Sequence, residues 1–189
     1  MLGFIIRTCH NFTNRKAITC LYNAFVSSQL IYCCSVWNPQ YHKYMNRIER
    51  IQRRFIRYLT FRSILEEGTY FSSCKSLNIL TLTDRRTFID INTLYKIVNF
   101  KMDCPYLLSK INFNIPRPNL RSSHLFRPAF SRTNLLFNAP VQRLTSTFDN
   151  LQSDLDLFNT GSPVFRIQVK KHFTSNYLFL FCTFIIQSV

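Results

Sequence analysis

The sequence has few glycines and few acidic residues, and each shortage excludes a class of function. With only 3 glycines in 189 residues, it lacks the glycine-rich loops that cradle phosphates in nucleotide-binding enzymes. Its 9 acidic residues stand against 24 lysines and arginines, so the formal net charge is +15. A chain this basic is expected to bind a polyanion, most simply nucleic acid and otherwise an acidic membrane surface.

Motifs for metal binding and nucleophilic catalysis are also missing. The 7 cysteines are odd in number and include no C-x-x-C pair, so we expect neither a disulfide scaffold nor a zinc site. The sequence has no Walker A loop, no G-x-S-x-G and no H-E-x-x-H, which are common signatures of catalysis.

The few grouped carboxylates do not form a recognisable catalytic set. They are Asp84 with Asp90, Glu66 with Glu67, and Asp154 with Asp156. Asp84 is better explained as a helix cap, and the last pair as polar turn residues. We therefore predict no catalytic residue and no metal site, and a binding module rather than an enzyme.

The positive charge is concentrated in two zones of the chain. Residues 1–65 carry a net charge of +9 and residues 104–148 carry +6, whereas residues 66–103 and 149–189 are each neutral. Any contact with a polyanion is therefore expected from these two zones.

The first zone contains the clearest helical pattern, from Tyr41 to Leu59. An apolar seam of Tyr41, Tyr44, Ile48, Ile51, Phe55 and Leu59 opposes a cationic row of Lys43, Arg47, Arg50, Arg54 and Arg57. Both sets repeat every three or four residues, so they predict opposite faces of one helix. A solvated helix face is the alternative, but such a face normally mixes signs, and here only Glu49 is acidic. We predict that this row, together with Arg53, binds nucleic acid.

The second zone is interrupted by prolines and predicts a loop with one or two short extended segments. Its arginines are Arg117, Arg121, Arg127 and Arg132, interleaved with Leu125, Phe126, Phe130 and Phe137. Such aromatic side chains can stack on single-stranded bases, or they can fill the core, which is the favoured interpretation. Arg117 and Arg121 are included among the predicted nucleic-acid ligands.

The remaining patterns predict a mainly α fold. Further helices are expected over residues 14–32, 83–100, a short stretch from Pro105, 138–148 and 162–173. Residues 62–82 are expected to be irregular. The apolar run 177–186 has about half the length needed to span a membrane, which leaves a buried strand, an interfacial anchor or out-of-frame translation open.

Several blocks in order resemble a known family. The chain is similar to the region after the polymerase core in reverse transcriptases of non-LTR (LINE-type, jockey-like) retrotransposons. The resemblance covers roughly residues 2 to 173. Its main blocks are Leu2–Arg7 (LGFIIR), Val36–Pro39 (VWNP), Ile48–Phe55 (IERIQRRF), Asp103–Leu108 (DCPYLL) and Asn138–Pro140 (NAP).

The resemblance implies a carboxy-terminal fragment of a polymerase. The Tyr-x-Asp-Asp motif of that family is absent, so the chain is expected to be inactive alone, with divalent metal only in the missing core. It implies a helical thumb-like domain over 1–110, a loop-rich region over 111–176 and an apolar tail over 177–189. The implied partners are RNA or DNA, as an RNA–DNA hybrid, and the polymerase palm domain. The implied location is nuclear or cytoplasmic, and no membrane partner is expected.

The sequence also departs from the family pattern. Ser27 and Ile31 stand where the family commonly has an Arg and a Glu, and Leu135 replaces a common Tyr. These changes, together with the apolar C-terminal run, keep open the alternative of an inactive remnant of a mobile-element reading frame. A further alternative is a basic helical protein associated with a membrane or organelle, which would need the apolar tail 177–189 as its anchor.

Overall fold

A computed structural model describes residues 1–66, 68–115, 124–151 and 155–173. These residues are mainly helical, which confirms the predicted fold class. The helices are α1 (Leu2–Thr8), α2 (Arg15–Tyr22), α3 (Ser28–Ile31), α4 (Cys34–Trp37), α5 (His42–Phe61), α6 (Tyr70–Ser76), α7 (Leu82–Val98), α8 (Pro105–Leu108), α9 (Asn134–Phe137), α10 (Pro140–Asn150) and α11 (162–173). A 3₁₀ turn covers Cys9–Asn11 and a π-helical segment covers Asn23–Ser27.

The contacts within the chain group it into two compact units. Among the described residues, unit 1 comprises those within 1–34, 39–86 and 172–173, and unit 2 comprises those within 35–38 and 87–171. The predicted domain boundary at residue 110 stays a prediction, and the predicted tail, 177–189, lies outside the described residues.

Helix starts follow from local chemistry. The Asn14 side chain accepts hydrogen bonds from the backbone N–H groups of Lys16 and Ala17, which makes Asn14 the cap of α2 and agrees with the predicted helix start at residue 14. Pro105 and Pro140 occupy the first turns of α8 and α10, where the missing N–H costs nothing. For α7, the expected cap at Thr83 or Asp84 is wrong, because the Thr81 hydroxyl accepts from the Asp84 N–H at 3.1 Å.

The predicted single helix over residues 14–32 contains a π-helical segment, which changes its buried face. Val26 and Ser27 are buried, whereas Phe25 is 52% exposed, although its helical spacing from the apolar residues Ile18, Leu21 and Tyr22 predicts a buried position. A π turn holds one more residue than an α turn, so every following side chain is rotated around the helix axis. The α-helical spacing therefore predicted the wrong buried residue here.

The core of unit 1 is built around α2 and α5. The rings of Tyr22 and Phe55 stack with centroids 4.0 Å apart and planes 9° apart. Ile18, Leu59 and Cys74 are fully buried in the same cluster. Cys74 lies on α6, so the prediction that residues 62–82 are irregular is wrong here. The seven residues Tyr70–Ser76 include three serines, which disfavour helix interiors, and their helical pattern is too weak to predict the helix.

Unit 2 has its own aromatic core. Tyr95 of α7 stacks on Phe165 of α11 with centroids 4.2 Å apart. Phe126 packs edge-to-face on Phe148 of α10. Of the short extended segments expected in this region, the described residues contain an isolated antiparallel bridge between Phe113 and Phe126.

Candidate nucleic-acid interface

The predicted cations of α5 are brought to one exposed surface. All six are exposed: Lys43, Arg47, Arg50, Arg53, Arg54 and Arg57. Five of them, Lys43, Arg47, Arg50, Arg54 and Arg57, form what we call the basic row. Within the described residues, no carboxylate pairs with any of the six. Their charges therefore face solvent without local compensation.

Glu49, the acid expected to interrupt this face, is instead in the core of unit 1. It is 6% exposed. Its carboxylate accepts hydrogen bonds from the Tyr70 hydroxyl, from the backbone N–H of Leu82 at 3.2 Å and from the Thr83 hydroxyl at 3.4 Å. The exposed face of α5 is therefore free of negative charge, and it is more uniformly basic than the sequence predicted.

The buried face of α5 is rotated from the predicted apolar seam. Phe55 and Leu59 are fully buried as predicted, but Tyr41 and Tyr44 are 62% and 50% exposed. Glu49 and Gln52 take the vacated core positions. Hydrophobic spacing could not find them, because it counts polar residues as solvent-facing.

Gln52 is buried because its amide is fully used. Its side-chain nitrogen donates to the Leu80 carbonyl at 3.0 Å and lies 3.5 Å from the Cys74 sulfur. Its oxygen accepts from the Tyr22 hydroxyl at 3.3 Å. Burial raises the pKa of Cys74 to about 11 and raises the pKa of Tyr22 and Tyr70 well above the usual range. Unit 1 thus backs the basic row with a layer of buried polar side chains that are bonded to one another.

Arg53 extends the cationic surface beside the row and, unlike the five cations of the row, has an aromatic partner among the described residues. Its guanidinium carbon lies 5.1 Å from the centre of the Tyr70 ring. A cation over an aromatic face is held in place while its outward N–H groups stay available. Tyr70 therefore links the core carboxylate of Glu49 to this exposed arginine.

In its described residues, the second basic zone does not form a comparable row of exposed cations. Arg117 and Arg121, both predicted ligands, lie outside the described residues. Arg127 and Arg132 are exposed. The aromatic side chains divide between the two interpretations left open: Phe126 is 1% exposed and fills the core, whereas Phe130 and Phe137 are exposed.

Arg143 belongs to the same zone but is buried and paired. It is 5% exposed, and its Nε lies 3.1 Å from the Asp90 carboxylate. Its guanidinium also donates to the Ser35 carbonyl, and the Asn38 amide donates to Asp90 at 3.1 Å. Sequence reasoning missed this pair because the two residues are far apart in the chain and each looks like a surface residue.

Two of the other carboxylates named in the sequence analysis, Asp84 and Asp156, accept local hydrogen bonds at a helix start and in a turn. Asp84 accepts from the Thr81 hydroxyl at the start of α7. Asp156 accepts from the backbone N–H groups of Phe158 and Asn159, which lowers its pKa. Glu67 and Asp154 lie outside the described residues.

Two further searches cover the described part of the chain only. Within it, no cluster of three or more histidine, cysteine or carboxylate side chains could hold a metal ion. None of the helices described is both long enough and apolar enough to cross a membrane.

The chain was also compared with known proteins. No family model, no curated protein and no solved structure matches it. The exposed cationic face of α5 is therefore the main structural guide to function.

Proposed function

We propose that the chain is a non-catalytic nucleic-acid-binding module, a thumb-region fragment of a retrotransposon-type reverse transcriptase that holds template and primer through α5. One observation carries the binding proposal. Six cationic side chains lie exposed on a single helix whose one carboxylate, Glu49, is buried, and none of the six makes a described ion pair. The family origin is supported by the ordered blocks of sequence resemblance, above all Ile48–Phe55, which lies within the same helix.

The length of the basic row fits a phosphate backbone. At a rise of about 1.5 Å per residue, the row from Lys43 to Arg57 extends about 21 Å. One strand of a duplex advances about 3.4 Å along the axis per phosphate while it winds around that axis, so a straight row of this length can reach several phosphates before the strand turns away. Four of its five members are arginines, whose planar forks bind phosphate oxygens in pairs.

The binding face is also held rigidly from behind. Phe55 and Leu59 are fully buried, and Glu49 and Gln52 are bonded into the core. A row fixed in this way loses little conformational freedom when it meets a phosphate backbone, apart from that of the side chains themselves.

The test is fluorescence anisotropy of the purified chain with a labelled RNA–DNA hybrid across a salt series. We expect a log–log salt slope of about −3 to −5, because several phosphate contacts release counterions. The variant Arg50→Glu with Arg54→Glu should bind at least about tenfold more weakly and flatten the slope by about 2, since each lost contact removes about 0.9.

The matched control is Lys16→Glu with Lys75→Glu, which makes the same change in net charge at two exposed residues of unit 1 outside α5. It should weaken binding clearly less than the α5 variant. Equal losses in the two variants would show that only total charge matters and would contradict the assignment to α5. A chain that binds neither hybrid nor single strands would be an inactive remnant.

A further inference from the structure

An aromatic side chain continues the basic row of α5 beyond its last arginine. Phe61 lies four residues after Arg57, so it falls on the same face of the helix, about 6 Å further along the axis. It is the last residue of α5 and is 88% exposed. The row and Phe61 together repeat at intervals of four, three, four, three and four residues.

Exposure alone does not distinguish Phe61, because single exposed apolar side chains are ordinary on proteins. Phe100 and Phe130 are 80% and 90% exposed, but they lie in a turn and a loop. Phe61 differs from them because it stands on a helix in register with five cations. An apolar ring at that place gains nothing from water and has no described aromatic neighbour.

The backbone on either side of Phe61 is fixed, so its ring is presented from an ordered helix end. Arg62, the next residue, donates to the Cys9 carbonyl at 2.9 Å, to the Phe12 carbonyl at 3.2 Å and to the Tyr58 hydroxyl at 3.1 Å. On the other side, the Thr60 hydroxyl bonds the Ile56 carbonyl at 3.2 Å. These contacts bond the end of α5 to residues 9 and 12 and to its own preceding turn.

We propose that Phe61 is a stacking platform for an unpaired nucleobase, so that α5 binds a strand whose bases are accessible at this end of the row. This inference rests on the proposed function and names its substrate class more narrowly. A strand aligned on the row by its phosphates places its next base near Phe61. Every base offers a π-face, so stacking of this kind requires no particular sequence.

Charge complementarity selects this occupant. The row supplies five positive charges and no described acid opposes them, which suits a chain of phosphates. Phe61 supplies an apolar surface. A phosphate gains nothing from contact with such a surface, whereas a nucleobase can stack on it. A regular duplex buries its bases in the stack and offers the ring none of their faces along its length.

The test compares single strands that differ only in their bases. The probes are an oligodeoxyadenylate of about 12 nucleotides, an abasic strand with the same number of phosphates, and a blunt RNA–DNA hybrid of that length, all within the usual size of a single-strand site. We expect the wild-type chain to bind the adenylate about tenfold more tightly than the abasic strand. Phe61→Ala should remove most of that difference and leave the hybrid within about twofold.

Two variants serve as controls. Phe61→Trp should keep the preference for the adenylate, because a larger ring stacks at least as well. Phe4→Ala removes another exposed phenylalanine of unit 1, 60% exposed and on α1, and should change none of the affinities. Circular dichroism should be the same for all of these chains, since both phenylalanines are exposed.

The inference is overturned if the wild type binds the abasic strand as tightly as the adenylate, or if Phe61→Ala behaves like Phe4→Ala. It is also overturned if Phe61→Ala weakens binding to vesicles of phosphatidylserine and phosphatidylcholine while oligonucleotide binding is unchanged. The hybrid separates the two proposals. If the hybrid binds and Arg50→Glu with Arg54→Glu weakens it, the proposed function stands even when the abasic comparison fails.

Discussion

The arginines of α5 and Arg143 of α10 both sit on helices in the two basic zones, yet they have opposite environments. Arg50 and Arg54 are exposed with no described carboxylate beside them, whereas Arg143 is 5% exposed and bonded to Asp90. In the first zone the charge is available for a partner. In the second zone, the charge of Arg143 is neutralised by Asp90 inside the protein. The net charge of +6 for residues 104–148 therefore overstates the positive charge that is available to a polyanion there.

The polar residues behind these arginines differ in the same sense. Unit 1 buries the Glu49 carboxylate, which accepts hydrogen bonds from hydroxyl and N–H donors and makes no described ion pair. Unit 2 buries a full ion pair. Removing one member of a buried ion pair leaves the other charge buried without its partner, which is very costly. Removing a hydrogen-bonded carboxylate instead leaves neutral donors without their acceptor, which costs less. This difference sets the order of the expected effects below.

The largest effect is expected when the ion pair is broken. Asp90→Ala leaves Arg143 charged and buried without its carboxylate, which should lower the free energy of unfolding by about 3–5 kcal/mol. Urea denaturation would measure it. Asp103→Ala removes an exposed carboxylate and is the control. Asp90→Leu combined with Arg143→Met should recover much of the loss; if the double variant is no more stable, the charge pairing is not the cause.

A smaller loss is expected at Glu49. Glu49→Ala leaves the N–H of Leu82 and the hydroxyls of Tyr70 and Thr83 without their acceptor, which should cost about 2–3 kcal/mol in unfolding free energy. The exposed Glu66 offers the matched control, because Glu66→Ala should cost less than about 0.5 kcal/mol. Equal stabilities of the two variants would place Glu49 on the surface and contradict its role in the core.

Alkaline pH should destabilise unit 1 by about 2 kcal/mol through Cys74. The unfolded thiol ionises near pH 9.0, whereas burial raises the folded pKa of Cys74 to about 11. The folded chain therefore holds this proton more tightly, so the stabilisation is complete below pH 9 and is lost as pH rises toward 11. Denaturation of the wild type and of Cys74→Ala between pH 8 and 11 would show the wild type losing more. A constant difference between the two would contradict it.

The smallest effect on stability is expected in the basic row itself. Arg54→Ala should change the free energy of unfolding by less than about 0.5 kcal/mol, because the side chain is exposed and makes no described ion pair. Arg143→Ala, which leaves Asp90 buried without its guanidinium, should cost several times more. Similar losses at the two arginines would remove the contrast between the two basic zones.

Much of the fold could be predicted because its signals are local. The pattern over Tyr41–Leu59 predicted α5 within two residues at its end, and Asn14, Pro105 and Pro140 marked helix starts correctly. Helix periodicity and capping depend on neighbours three or four residues away, which the sequence shows directly. The cationic face of α5 was predictable for the same reason.

The rest depends on contacts between distant segments. Glu49 and Gln52 are buried because α6 and the start of α7 supply partners for them. Arg143 is buried because it pairs with Asp90, and Asp90 lies 53 residues earlier in the chain. No local pattern distinguishes such buried polar residues from exposed ones, so spacing and composition alone predict them to be exposed. The extra residue of the π turn could not be predicted either, because no hydrophobic spacing indicates where such a turn occurs.

The contacts of Arg62 also have a consequence for the order of folding. They join the end of α5 to Cys9 and Phe12, which lie 53 and 50 residues away in the chain. Closing loops of this length costs entropy, whereas α5 itself is built from contacts four residues apart. In refolding, we expect α5 to form first and its last turn to become rigid only after residues 9–12 have docked.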